Sequence, residues 1–338
     1  MIEIKDRVEG AIYGLAFGDG IGAPSATNRL GILAPKRMMR MRSLSEYADN
    51  RMHTTRPVPY THAQPSSLLN PSPSDDVEWF AFVMKYVSQG EAAGVSWKFL
   101  TKDYEVIRAR TGTKIALKNL INGQEPPVSG HDNPHYFDDI SLVRAAAIAL
   151  IHYMDPNEML RLIEEDITIT HSEDGLYCAR AFAILLATLL RGESKQDAIK
   201  FALHTLPRDS WSERLVSKAL DLTGNLADNF DRALLLDEEY VDKIYAYAVS
   251  APETLGLLLT HFENTESAED LFNSSLLHKR NLDSLPPLAG LLAGVYYGNQ
   301  WLPNRAKRPE ISIGGVCLPM LKGLTLGELT KYALKNLE

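Results

Sequence analysis

Gly10, Gly14, Gly18 and Gly22 recur at a strict spacing of four near the start of this chain. On a helix that spacing lines the glycines along one stripe, although each costs about 1 kcal/mol of helix propensity relative to alanine. A helix that carries four of them in register presents a face without side chains, onto which a second helix can press closely. The stripe therefore predicts a buried central helix over residues 7–22.

The rest of the pattern agrees with a helical fold. Apolar residues recur at intervals of three and four, as in Val77, Phe80, Val83, Met84 and Val87, and again in Leu176, Ala179, Phe182, Ala183 and Leu186. Strand-like alternation is scarce, and Ile311-Ser312-Ile313 is the best short candidate. The expected fold class is all-α. Helical patterning over 74–121 is broken near Gly90 and at Thr111-Gly112-Thr113, and further helices are expected near 141–153, 156–165, 174–191, 194–204, 211–223, 237–248, 252–262, 267–274, 287–299 and 325–336. Two stretches lose periodicity: 24–73, which gathers prolines and loop histidines including His53 and His62, and 122–140, which is dense in turn residues. A structureless connection as long as 24–73 inside a compact protein is usually functional or disordered. No linker, composition break or tandem repeat divides the chain, so a single domain over 1–338 is expected.

Composition removes several function classes. A formal net charge of -8 leaves no basic field for a polyanion, so nucleic acid is not an expected partner. Cys178 and Cys317, the two cysteines, lack CxxC spacing, which disfavours a disulfide framework and fits a reducing compartment. Charges stand where the apolar core of a signal peptide belongs, and no apolar run reaches the roughly 18 residues of a membrane span. A cytoplasmic protein without membrane contact is the expectation. Phosphate-loop, dinucleotide-fold and serine-hydrolase motifs are absent from the sequence.

Oxygen-rich helix entrances carry the chemistry. Ser74-Asp75-Asp76 precedes an apolar-periodic run, and Asn281-Leu282-Asp283-Ser284 precedes Pro286-Pro287 and a small-residue run ending at Gly298. Adjacent carboxylates and hydroxyls are hard donors of the kind Mg²⁺ and Mn²⁺ prefer. The alternative is simple helix capping, with Asp75 and Glu78 forming a capping box and the acids complementing the helix dipole.

At these residues the chain resembles the ADP-ribosylglycohydrolase family, which includes ADP-ribosyl-acceptor hydrolases, the dinitrogenase-reductase activating enzyme and J1 crystallins. Gly10 to Pro24 is similar to the family's glycine-rich opening with its GD-x-x-GAP ending, Ser74-Asp75-Asp76 to its [ST]-D-D, and Asn281-Leu282-Asp283-Ser284 to its D-x-D-[ST]; Thr170-His171 resembles its [ST]-H. The segment from Gly123 to Gly130, with Asn133-Pro134-His135-Tyr136, is similar to a bacterial branch of the family. The resemblance implies a compact orthogonal helical bundle with one or two Mg²⁺ or Mn²⁺ ions held by Ser74, Asp75, Asp76, Asn281, Asp283 and Ser284. It also implies hydrolysis at C1 of a ribosyl unit on a small-molecule or ADP-ribosylated substrate. A non-catalytic, crystallin-like descendant that binds a nucleotide or serves structurally is the alternative.

Two departures bear on that implication. Asn281 stands where the family usually has aspartate, which removes one negative charge from the ligand set. After Pro24, Ser25-Ala26-Thr27-Asn28 lacks the glutamate many members carry, so the proton-transfer group must come from elsewhere. Asp76, Asp139 and Glu78 are the catalytic candidates, and Asp138-Asp139 stands where relatives usually show Gly-Asn. His171, Tyr136 and Asp138 are candidates for substrate contact, with structural roles as the alternative for His171 and packing for Tyr136. Asp19 is read as an outer support for the metal ligands or as the cap of a break in the glycine helix.

Overall fold

The computed structural model describes residues 2–25, 73–224, 226, 228–242, 249–278 and 280–335, with the side chains of 23–25 left out. In chain order the helices are α1 (Ile4–Ser25), α2 (Asp75–Ser88), α3 (Ala93–Thr101), α4 (Thr111–Ile121), the four-residue α5 (Val128–His131), α6 (Ile140–His152), α7 (Pro156–Ile167), α8 (Glu173–Leu190), α9 (Lys195–Thr205), α10 (Trp211–Thr223), α11 (Asn229–Glu239), α12 (Ala251–Asn264), α13 (Ala268–Ser275), α14 (Leu285–Tyr297) and α15 (Leu326–Leu334). Among the described residues there is no strand. The candidate at Ile311-Ser312-Ile313 supplies only an isolated bridge from Ser312 to Thr325. No helix among them is long and apolar enough to cross a membrane.

The glycine stripe does what its spacing demands. α1 and α14 form the most extensive helix pair among the described residues and run antiparallel, with Gly10 beside Gly294 and Gly298, Gly14 beside Gly290, Gly18 beside Pro286 and Gly22 beside Leu282. Contact is backbone on backbone. A Cβ at Gly14 would lie 2.6 Å from the Gly290 carbonyl carbon, and one at Gly18 would lie 2.5 Å from that of Pro286. Gly298, at φ +77°, then turns the chain out of α14 in the left-handed conformation that glycine adopts most readily.

Around this pair one continuous apolar core extends from Val8 to Ala333. α6 is buried on every side from Ile140 to Ile151 and packs between α2 and α8. A helix apolar all round belongs at the centre of a protein this size. It nevertheless carries the fully buried Arg144, whose guanidinium donates to Asp166 Oδ2 at 2.9 Å and 2.6 Å and stacks on Trp97; Tyr86 and Trp97 donate to the other Asp166 oxygen. The peripheral helices start at ordinary caps: Asp155, Ser194, Ser210, Asp228 and Ser267 each accept from a first-turn amide, and Thr325 with Glu328 completes a capping box.

Several sequence expectations are corrected. The helix expected over 237–248 is α11, which begins at Asn229 and ends at Glu239 because Asp228 caps it earlier; residues 243–248 lie outside the described residues. Thr111-Gly112-Thr113 starts α4 instead of breaking a helix, the break falling at 102–110. The loop over 122–140 contains α5. The glycine helix has no break at Asp19, and the irregular 24–73 stretch lies outside the described residues from 26 to 72.

Candidate active site

The α1–α14 pairing sets the geometry of the site. Because Gly22 rests on Leu282, the carboxyl end of α1 lies against the segment that enters α14. One turn earlier, Asp19 Oδ2 accepts the Ser74 N–H at 2.7 Å and the Val77 N–H at 3.2 Å, and Oδ1 accepts the Ser74 hydroxyl. Asp19 thus caps α2, not its own helix, and holds the Ser74 that leads into Asp75 and Asp76. Burial and the nearby Asp75 push the Asp19 carboxyl up to about 7. The capping box expected from Asp75 and Glu78 does not form: Ser74 is the N-cap residue and makes no side-chain cap bond.

Four carboxylates from three parts of the chain meet at one cation that the sequence reading passed over, Arg110. It sits at the N-cap position of α4. Its Nη1 donates to Asp139 Oδ1, and its Nη2 lies 3.2 Å from both Asp76 Oδ1 and Ser284 Oγ. Asp75 at 3.9 Å and Asp283 at 4.0 Å complete the ring. Burial alone would depress the guanidinium; Asp139, Asp76, Asp75 and Asp283 together reverse that and hold it charged. No local motif marks Arg110. The available signal was global: a surplus of acids at two buried helix entrances requires a cation, and the basic residues of the 102–110 break were candidates to supply it.

The three catalytic candidates separate on their hydrogen bonds. Glu78 accepts the Val316, Cys317 and Leu318 N–H groups at 2.8, 2.8 and 2.7 Å, fastening the 316–318 loop to α2. Asp139 accepts from Arg110 and Ser284 through Oδ1 and from the Thr254 hydroxyl through Oδ2, at 2.6 Å. Its place is fixed by the backbone, since the Asp139 N–H donates to Val249 O and the Ala251 N–H to Phe137 O. Asp76 differs: it is fully buried, Oδ1 faces Arg110, and Oδ2 has no hydrogen-bond partner. Burial, then Asp75, raise its carboxyl well above the ordinary range against the pull of Arg110.

The expected substrate-contact residues stand apart from the ring. His171 is fully buried, with Nδ1 2.7 Å from the Thr170 hydroxyl and Nε2 3.1 Å from Asp138 Oδ1. Burial drives the Asp138 carboxyl upward, but the His171 imidazole, its hydrogen bond and Arg110 outweigh it and leave the carboxyl below its ordinary range. Tyr136 packs edge-on against Phe137 and near His131, and its carbonyl accepts the Ser172 N–H. Asn281 turns its amide nitrogen to Glu253 Oε1 at 2.9 Å. An aspartate at 281 would set two carboxylates face to face there, which accounts for the neutral residue.

Hard oxygen donors of the right type for Mg²⁺ or Mn²⁺ are therefore present. Asp75 and Asp283 are 29% and 24% exposed, and Asp76 Oδ2 is bare. As they stand, they surround a guanidinium, and the described residues contain no group of three His, Cys, Asp or Glu side chains placed to hold an ion. The donor types suit such an ion, while the space between Asp76, Asp139 and Ser284 is filled by the guanidinium.

The profile described as ADP-ribosylglycohydrolase matches residues 1–311, and the chain belongs to that family. A solved structure titled ADP-ribosylglycohydrolase-related protein complex shares the fold, with a TM-score of 0.58 at 20% identity over 98% of this chain and 97% of the other. No curated protein matches. The family supports a hydrolase of glycosidic bonds.

Proposed function

We propose that the protein hydrolyses a ribosyl glycosidic bond, N- or O-linked, of an ADP-ribosylated acceptor, an ADP-ribose derivative or a nucleoside-like compound. The observation that carries this reading is the convergence of Asp75, Asp76, Asp283 and Ser284 on one point from opposite ends of the chain. Cleavage at C1 of a ribose proceeds through an oxocarbenium-like transition state, which a cluster of carboxylates stabilises by charge. One Mg²⁺ or Mn²⁺ held by Asp75 and Asp283 would orient ribose hydroxyls and acidify water, which leaves the bare oxygen of Asp76 for proton transfer.

Among Asp76, Asp139 and Glu78, only Asp76 keeps an oxygen without a partner, so proton transfer is assigned to Asp76 Oδ2. Asp139 holds Arg110 and Ser284 in place, and Glu78 fixes a loop. His171 and Asp138 act from behind as a buried pair that supports the segment carrying Asp139.

The test is release of free sugar from ADP-ribosyl-arginine, ADP-ribosyl-serine, O-acetyl-ADP-ribose and plain nucleosides. At least one is cleaved, and Asp76→Asn lowers its turnover by about 10²–10⁴-fold, the range of general acid–base catalysis. Absence of release from the whole panel would turn the reading toward a non-catalytic descendant.

A further inference from the structure

We propose that the Arg110 guanidinium is the resident inner cation of this site, standing where a second divalent ion would otherwise be held, so that the protein takes up at most one such ion. The inference rests on the one-ion reading above but concerns a residue of the chain itself.

Three observations lead there. First, the guanidinium is bonded to Asp76, Asp139 and Ser284, which are all almost fully buried, while its own side chain is only 13% exposed. A planar fork with five donors can bridge carboxylates on several sides at once, as a metal ion does, and it cannot be removed by deprotonation. Second, Arg110 is matched by Asp139, whose other oxygen is anchored by Thr254 and whose backbone is pinned to Val249. The pair is thus held from α4 and from the α6 entrance, and is not a loose surface contact. Third, residue 281 is a neutral asparagine whose amide nitrogen donates to Glu253, so the negative charge that the α14 entrance brings to the ring is that of Asp283 alone.

Charge sets the limit on what remains. One guanidinium cannot balance four carboxylates, and the two that reach solvent, Asp75 and Asp283, sit at the longest distances from it. These two retain attraction for a single divalent ion on the outer side. A second ion at the inner side would meet the guanidinium at close range, where like charges repel strongly in a poorly solvated site.

The experiment counts bound Mn²⁺ on metal-stripped protein by calorimetric titration and by native mass spectrometry, for wild type, Arg110→Met and Arg110→Lys. Wild type and Arg110→Lys take up the same number, one at most, and Arg110→Met takes up one more. Two ions on wild type, or no gain in Arg110→Met, overturns the inference. Zero ions on wild type with one on Arg110→Met removes the one-ion reading yet upholds the exchange of guanidinium for metal, so the two failures are told apart. Should Arg110→Met unfold in metal-free buffer, Mn²⁺ restores its folded circular dichroism while leaving wild type unchanged; a variant that stays unfolded at every Mn²⁺ concentration also overturns it.

Discussion

The α1–α14 seam and the ring of carboxylates it points toward lie end to end, yet they solve opposite problems. In the seam, two backbones touch with nothing between them, and every position excludes a side chain. In the ring, side chains from α2, the α6 entrance and the α14 entrance crowd together, and the question is what neutral or charged group stands between them. Packing fixes the first by steric exclusion, which has one answer. Electrostatics fixes the second, and a buried negative cluster accepts several: a proton on one member, a metal ion, or a cation of the chain.

The largest expected effect tests the seam. Gly14→Ala places a methyl group against the Gly290 backbone, which no rotamer change relieves. Unfolding by urea is expected to show a loss of about 3 kcal/mol or more, the upper range of overpacking, because Gly290 is itself pressed against the Gly14 carbonyl and has no room to yield. A loss below about 1 kcal/mol would mean that the helices separate easily, and the contrast between seam and ring would collapse.

That difference also explains what could be read from residues alone. Four glycines in register have no other economical use, so the buried central helix was legible, as were the long helices with periodic apolar faces and good caps. Ser74-Asp75-Asp76 and Asp283-Ser284 were legible as partners because they bracket helices and match a family order. Arg110 was not, since a single arginine in an irregular stretch looks like any solvated one until the fold turns it inward. Glu78 misled for a related reason: three residues after Asp75 it has capping-box spacing, whereas its partners, the amides of 316–318, lie far away in sequence. Local spacing records what a residue can do along its own helix and is blind to bonds made across the fold.

Glu78 therefore sharpens the comparison from the other side, as an acid next to the ring that works like the seam. Glu78→Gln leaves one carboxamide oxygen for three N–H donors and turns an NH₂ toward them. Because hydrogen bonds to a charged acceptor contribute about 1.5–3 kcal/mol, the expected loss in urea unfolding is about 2 kcal/mol. Sugar release per folded molecule stays within about twofold of wild type, against the loss of 10²-fold or more assigned to Asp76→Asn. If Glu78→Gln abolishes turnover while stability holds, the division of labour between the two acids is wrong.

The smallest expected effect concerns a buried pair that belongs wholly to neither region. His261 Nε2 lies 2.6 Å from His278 Nε2, and His278 Nδ1 lies 2.7 Å from Asp237 Oδ1. If His278 donates its Nδ1–H to Asp237, its Nε2 accepts from the Nε2–H of a neutral His261, whose Nδ1 has no partner. Protonating that nitrogen would bury a charge and an unsatisfied donor together, which is why burial first, then His278 and Arg232, hold the His261 imidazole well below its ordinary value of 6.5. The sign follows. The unfolded chain binds the proton near pH 6.5 and the folded one does not, so the contribution to stability is complete above that pH and is lost as pH falls below it. Asp19, raised to about 7, acts in the opposite sense, contributing below the ordinary carboxylate range and losing that contribution as pH rises toward 7. The two overlap in a raw stability curve, so the informative quantity is the difference between wild type and His261→Gln. It should be flat from pH 8 to about 7 and then shift against wild type by up to about 1.4 kcal/mol per pH unit below pH 6.5, the value of one proton. A difference that stays flat down to pH 5 would show that His261 carries its proton in the fold.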